Sequence, residues 1–572
     1  MSDTFKLAGI MLAGLLFLQH AGAAQADAAF PQAQADRIFE EFGAQDKPAI
    51  AIALLKNKQI VYLKAFGQEN LEHKVPATID TQFQIDALAW EFIAFAVLQL
   101  QSQGKLGLDD DARKYLPQLP DFGKKITVAH LLSSTDGLYG YQVLKALAGW
   151  QPGQAGQAPD VMRLIRYQAA PNFEPGTAFS PGGDTRLFVL TQIVEAVSGL
   201  SFADYCKQHI FIPIGMSGTV FVSDPSRPLT RLAVPYRGDG KGAYRPDYNV
   251  APAGPAALYS TIRDMATWRS KHAAHEPGRE ALSVKLDTPI RLDNGKLIRD
   301  MSSISTFAQQ HVGKERGIAK IYQAGSAGGY ASSLFHFPEQ DVTVITLSSG
   351  LAYNGSYGMR TASLLMESHY AEPVTIDYAS IPRAEVSTGQ LEQYAGSYWS
   401  VERALAARIH LKAGVLHYTR TGGTADRTLT PLGDGLFQMQ IEGDDAYFIK
   451  FSGDENGRRM AFSMSGSDPV IFEAHAPLSY AADELKQFAG LYHSELLNSS
   501  FALRINNGVL VADNLRTGPV NMTAVKPDIF IGDKSFLGGI VFIRGQGQRV
   551  TAFEVMVDEV RKLRFSRIDE KS

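Results

Sequence analysis

The chain has 572 residues, a formal net charge of −4 and a single cysteine. That length calls for several domains rather than one core. The near balance of 55 basic and 59 acidic residues gives no electrostatic attraction to nucleic acid or to an anionic membrane. With Cys206 alone, an internal disulfide and a thiolate metal cluster are excluded.

Residues 1–26 read as a secretory signal. Lys6 precedes the apolar run LAGIMLAGLLFL, and small residues follow, with cleavage expected after Ala23 or Ala26. The run is short for a membrane span, and no later stretch is long enough. The expectation is an exported protein without a transmembrane segment in the mature chain, periplasmic if the source is Gram-negative.

The elements follow in order. FPQAQADRIFEEFGAQ reads as an amphipathic helix, and AIAIALLKNKQIVYLKAFGQENL as a β-hairpin turning at Lys56–Gln59. Residues 81–100 begin as a strand edge (Phe83, Ile85) and become a helix that is apolar all round, the mark of a segment buried on most sides. ITVAHLLSSTDGL is a second helix with a turn, and FEPGTAFSPGGDT feeds a long buried helix that runs on to FADYC. On that stretch Cys206 reads as a small buried residue. A helix begins near Thr261; IAKIYQAGSAGGYASSLFHFPEQDVTVITLSS reads as three strands, and SYGMRTASLLMESHY as a closing helix. Strands at both ends with helices between them predict an α+β unit, an antiparallel sheet flanked by helices, over residues 27–380.

Beyond residue 380 helical periodicity stops. LEQYAGSYWS at 391 matches LKQFAGLYHS at 485, and AGVLHY at 413 matches NGVLVA at 507. Such spacing predicts two copies of one all-β, barrel-like module, at 381–480 and 481–572.

The first unit resembles the serine β-lactamase-like family, which includes class C β-lactamases, penicillin-binding-protein-like esterases and D-aminopeptidases. The resemblance rests on QSQGKLGLDDDARKYLPQLP, ITVAHLLSSTDGL, EPGTAFS, IFIPIGM, STIRDMATW and GGYASSLFHFPEQ. The tail resembles the barrel domains appended to D-aminopeptidase-type members. The family attacks a carbonyl with a Ser at a helix start, uses a Lys one turn on, a Tyr-x-Asn loop and a Lys/His-Thr-Gly strand.

Those residues are replaced here. Ala87 stands where the resemblance implies the Ser, and Trp90 where it implies the Lys. Pro181 and Gly183 stand for the Tyr and Asn, and Gln323 and Ala324 for the cation or imidazole and the Thr; Gly325 alone is kept. Ser134 and Asp136 take the places of the family's His and Ser before Gly137. Alanine has no nucleophile, and an indole only donates. No residue is therefore assigned a catalytic role, and no spacing suggests a metal or a cofactor.

Replacement chemistry has weak candidates. Ala324-x-Ser326-x-Gly328 is a faint nucleophile elbow, but strand leads to strand there. Asp86 and Glu91 do not share a helix face, which favours solvated or capping roles, with Asp86 a plausible N-cap. His130, Ser133 and Ser134 read as a hydrogen-bonded helix end.

What the resemblance leaves is a pair of candidate oxyanion donors, the backbone N–H groups of Ala87 and Ser326. Trp90 either plugs the vacated pocket or walls it. The reading is an exported, inactive family member that binds a peptide, a peptidoglycan fragment or an envelope protein, or acts as a scaffold. The alternative is an amidase, esterase or peptidase working through unrecognised residues. Adhesion or oligomerisation through the β modules is a third class.

Overall fold

Strand β1 (Ile50–Lys56) shows in its own sequence how the first unit is built. Ala49, Ala51, Ala53 and Leu55 point into one apolar cluster, and Ile50, Ile52 and Leu54 into another. Side chains alternate across a strand, so a segment apolar at every position is covered on both faces. The computed structural model describes residues 30–568, apart from 44–45, 151–157, 181–183, 223–228, 239–242, 248–256, 272–285, 287–288, 301–302, 306–309, 352, 371–382, 401–402, 404, 421–425, 440–446, 454–456, 465–468 and 477. Residues 1–26, expected to be a signal, lie outside the described residues.

β1 pairs with β2 (Gln59–Phe66) through a tight turn, where Asn57 and Lys58 take φ of +50° and +61°. Successive left-handed residues are the mark of a type I′ hairpin turn. The sheet also holds β3 (Arg299–Asp300), β4 (Ser303–Ser305), β5 (His311–Glu315), β6 (Ile318–Ala327), β7 (Tyr330–Phe337) and β8 (Val342–Ser349). Its order is β3-β4-β5-β6-β7-β8-β1-β2, antiparallel throughout. The two ends of the first unit thus meet where β1 lies beside β8, as the α+β expectation requires.

Helices cover both faces. On one, α1 (Gln32–Ile38) and α7 (Gly355–Met366) pack with Phe39, Phe42, Phe335 and Phe337. On the other lies α2 (Ala89–Ser102), in which every residue from Glu91 to Leu98 is buried. Phe92 and Phe95 of α2 meet Trp268 of α6 (Ile262–Lys271) with ring centroids 4.6 and 5.3 Å apart. Small alanines on this side of β1 let α6 approach closely, and aromatic rings fill the space between α6 and α2. The remaining helices that bear on the site are α3 (Val128–Leu132), α4 (Tyr141–Leu147) and α5 (Asp184–Ser198). Among the described residues no single helix is long and apolar enough to cross a membrane.

The tail forms two closed eight-stranded antiparallel barrels, the first from Gly396–Ser400 to Val470–His475 and the second from Gly490–Ser494 to Val560–Ile568. Closure removes exposed strand edges. The second barrel is packed with Phe501, Phe542, Phe553 and Phe565, and the same cluster takes in Tyr139, Leu144 and Leu147 from the α-helical side of the first unit. The tip of its last hairpin, Asp558–Glu559, docks at the start of α4. Gly140 N–H and the Asn172 side-chain amide each donate to the Glu559 carbonyl at 2.9 Å. Arg561 N–H donates back to the Asn172 side-chain oxygen at 2.8 Å.

Candidate functional site

The turn ahead of α2 lies under the end of β6. A 3-10 turn over Asp86–Leu88 leads into α2. It is held from below, because Ile85 N–H donates to the Leu258 carbonyl at 3.0 Å and Ser332 Oγ donates to the Ile85 carbonyl at 2.8 Å. From above, Gly325 closes on it: a Cβ there would lie 2.6 Å from Asp86 Oδ2 and 2.8 Å from Ala87 N. Only a glycine permits that approach. The structure therefore brings Ala87, Gly325 and Ser326 together.

Ala87 is buried, and its methyl group meets β6. The Ala87 N–H and the Ser326 N–H both donate to the carboxylate of Asp86. The two backbone donors do converge, and the acceptor between them belongs to the chain itself. Asp86 reaches it from a left-handed backbone, with φ of +41°. Aspartate is one of the few residues other than glycine that tolerate this conformation, because its side chain bonds locally. Burial pushes its carboxyl pKa up, and the two N–H donors work against that shift. The expected N-cap role for Asp86 is thus corrected, since its side chain serves a neighbouring N–H and one from another strand.

Trp90 is partly buried against the main core. The guanidinium of Arg186, one turn into α5, lies over its ring at 5.3 Å. Arg186 is itself buried; desolvation lowers its pKa to about 10, opposed by Asp136 and Asp184, so it stays charged at neutral pH. A cation stands beside Trp90 although the lysine implied by the resemblance is absent. It comes from a different helix. Cation–π contact with a desolvated guanidinium gives the indole a polar as well as a packing role.

Glu91 corrects the sequence reading more sharply. It is buried, and it accepts from Trp268 Nε1 at 3.0 Å, Arg269 at 3.1 Å and Gln310 Nε2 at 3.0 Å. It is neither solvated nor a cap but the anchor that fixes α2 to α6. Gln323, on β6 opposite Leu334, is buried. Pro181 and Gly183 lie outside the described residues.

The other candidates take structural roles. His130 Nδ1 accepts from Thr127 N–H, Thr127 Oγ1 accepts from His130 N–H, and the far ring nitrogen meets Asp293 at 3.1 Å. Ser133 Oγ donates to the Ala129 carbonyl at 2.7 Å. The imidazole is engaged on both sides and Ser133 bonds to backbone, which is a capped helix end. β6 runs on to β7 through a hairpin, so Ser326 does not sit on an elbow. Cys206 is buried, and burial raises its thiol pKa.

Space opens next to Ser326. A cavity of about 520 Å³ is lined by Ser326, Gly328, Tyr236, Arg237, Tyr244 and Asp247, among others. Arg237 bonds the Asp247 carboxylate at 2.6 Å, and Tyr236 Oη donates to Glu72 at 2.5 Å. Aromatic walls with ion-paired polar groups suit a small polar ligand. Among the described residues no group of His, Cys, Asp and Glu can hold a metal ion.

On the opposite side lie two half-buried acids. Asp184, at the start of α5, accepts from Gln142 N–H; burial foremost, then the nearby Glu559, raises its pKa to about 8. Glu559, from the second barrel, is raised to about 7 by burial and then by Asp558. Asp136, under Arg186, is raised to about 6 by burial and accepts from Leu138 N–H at 2.9 Å. No sequence signal pointed to the electrostatic influence of Glu559 on Asp184.

Known proteins resemble this chain in sequence and in fold. A family model described as Beta-lactamase matches residues 35–365, more than half of the chain. A D-aminopeptidase of Brucella anthropi is 27% identical over 250 residues, which cover 43% of this chain and 47% of that protein. A D-aminopeptidase of Gluconobacter oxydans is 25% identical over 457 residues, covering 79% of this chain and 81% of that one. The chain thus spans about half of the first relative and four fifths of the second. The octameric penicillin-binding protein homologue from Pyrococcus abyssi superposes with a TM-score of 0.52 at 20% identity, over 77% of this chain and 100% of that chain, a likeness of fold. With its helix-flanked antiparallel sheet and a turn before α2 closed by Gly325, the chain belongs to the Beta-lactamase family.

Proposed function

We propose that this protein is an exported Beta-lactamase family member that binds a peptide-type ligand in the cleft beside β6 without forming an acyl-enzyme. One observation carries the reading: the Asp86 carboxylate accepts both backbone N–H groups that would polarise a substrate carbonyl, beside an alanine where the nucleophile belongs. A side-chain acceptor already seated on these donors has to be displaced before a carbonyl can take them. A methyl group cannot attack, and Trp90 cannot take a proton.

The polar cavity beginning at Ser326 supplies room for a ligand. Its class is carried over from the relatives named D-aminopeptidases: a short peptide containing a D-residue, free or within a peptidoglycan fragment or an envelope protein. Export rests on the N-terminal apolar segment. The test is intact-mass spectrometry of the mature protein after a fluorophosphonate and a β-lactam, with calorimetric titration of D-alanyl-D-alanine. No covalent adduct and saturable binding are expected; a labelled serine overturns the proposal.

The names of those relatives favour a second reading, a hydrolase that uses replacement residues. Asp86 is then the nearest titratable group, its pKa raised by burial as an acid–base residue requires. Turnover of D-alanine amide that disappears in Asp86→Asn would establish this reading in place of the first.

A further inference from the structure

We propose that the cleft between the two barrels is a binding site for a small carboxylate or phosphate, held by Arg403 and Arg420. The inference does not rest on the reading of the first unit.

The barrels meet along an apolar seam. Trp399 and Ala406 of the first pack against Val525 and Ile531 of the second. Lys526 pairs with Glu473 across the junction at 3.3 Å. Beside this seam is a cavity of about 480 Å³, lined by both barrels. The first barrel contributes Arg403, Leu405, Ala406 and Arg420; the second contributes the turn Asp533–Ser535 and Met556–Asp558.

The charges in this cavity do not balance locally. Its acids are engaged: Asp533 accepts from the Asn521 side-chain amide at 2.8 Å, and Asp558 pairs with Arg561 at 3.0 Å. Lys534 donates to the Thr517 carbonyl at 2.7 Å. Among the described residues neither Arg403 nor Arg420 has a carboxylate in ion-pair range. Moreover, Nε of Arg403 is shielded from water and has no hydrogen-bond acceptor among the described residues.

Arg420 alone would be an ordinary solvated side chain. The combination is different. A buried guanidinium nitrogen without an acceptor is uncommon and calls for a partner. Here it borders a concave space that a second unpaired guanidinium also lines. Guanidinium forks match oxygens that sit in pairs on one centre, as in a carboxylate or a phosphate. Ala406, Ile531 and Met556 on the same wall favour a small apolar body behind the anionic group. A ligand seated there touches both barrels and ties them together.

The test uses the full chain at low ionic strength, titrated separately with inorganic phosphate and with N-acetylalanine. Saturable binding of one or both is expected, and which of them binds separates a phosphate source from a carboxylate source. Arg403→Gln and Arg420→Gln should each weaken binding tenfold or more, and Arg420→Lys, which keeps charge but loses the fork, should fall between. If Arg403→Gln does not fold, Arg420→Gln decides, because that residue is exposed. Failure of both anions to bind, or equal binding by Arg420→Gln and the unaltered protein, overturns the proposal.

Discussion

The N–H of Ser326 on β6 donates to the carboxylate of Asp86, at the turn that opens α2. The strand and the helix start are thus bridged by the protein itself. The bridge predicts how the site can be reopened. Ala87→Ser with Trp90→Lys should not label with a fluorophosphonate, because Asp86 still fills the donor pair. Adding Asp86→Gly frees the donors and suits the φ of +41°, where an ordinary residue costs roughly 1–2 kcal/mol. The triple variant should label, by intact mass, faster than the double by at least an order of magnitude; equal labelling of the two would remove the inhibitory role from Asp86.

The anchor beneath that turn is open to a stability test. Glu91 holds Trp268, Arg269 and Gln310, and the Arg269 side chain is only 9% exposed. Glu91→Ala leaves a buried guanidinium unpaired, at a cost of about 3–5 kcal/mol. Glu91→Gln keeps hydrogen bonding and should cost less. Urea denaturation followed by tryptophan fluorescence would read both; a loss below about 1 kcal/mol for Glu91→Ala contradicts the anchoring role.

The charge of Glu559 near Asp184 makes docking of the second barrel depend on pH. Their folded pKa values, about 8 and about 7, lie above the ordinary range of about 4 for unfolded carboxyls. The folded state therefore binds protons more tightly than the unfolded one. Its stabilisation is complete below about pH 4 and is lost as pH rises to between 7 and 8. The groups facing the pair are Lys145, whose pKa burial lowers, Tyr141, whose pKa burial raises, Arg186 and Asp558. Urea midpoints measured from pH 5 to pH 9 should fall with pH, and Asp184→Asn should flatten the slope.

Gly140 tests the docking geometry directly. A Cβ there would lie 2.3 Å from Glu559 Oε2 and 2.9 Å from Glu559 Cβ. Gly140→Ala should loosen the Asp558–Glu559 tip by roughly 1–3 kcal/mol. Hydrogen exchange of the hairpin amides around residues 556–561 would rise. Glu559→Gly in the same chain, which removes both the carboxylate and the Cβ, should relieve much of that effect, giving coupling in a double-mutant cycle. Independent effects of the two substitutions would mean that the tip is held elsewhere.

Much of this could be read from local pattern. The unbroken apolar run of β1, the helix apolar all round at 89–100 and the short alternating segments after residue 380 are consequences of burial, which marks each residue by its own solubility. The identities of Ala87, Trp90 and Gln323 are equally plain, because a residue's type needs no neighbour to be read. His130 and Ser133 were legible as a helix end for the same reason, since capping partners lie within one turn.

Partners distant in the chain could not be read that way. Asp86 and Glu91 look alike in sequence, two acids near a helix start, yet one fills a pair of backbone donors and the other anchors a buried guanidinium. Asn172 and Glu559 are 387 positions apart and still hydrogen-bonded. Periodicity reports which residues leave water; it does not report which charge or donor meets them there. By itself the sequence determined the layers of the fold and the residue types at the turn before α2. Tertiary structure alone decided where the remaining charges went, because the energy of a buried charge depends on the partners the fold brings to it.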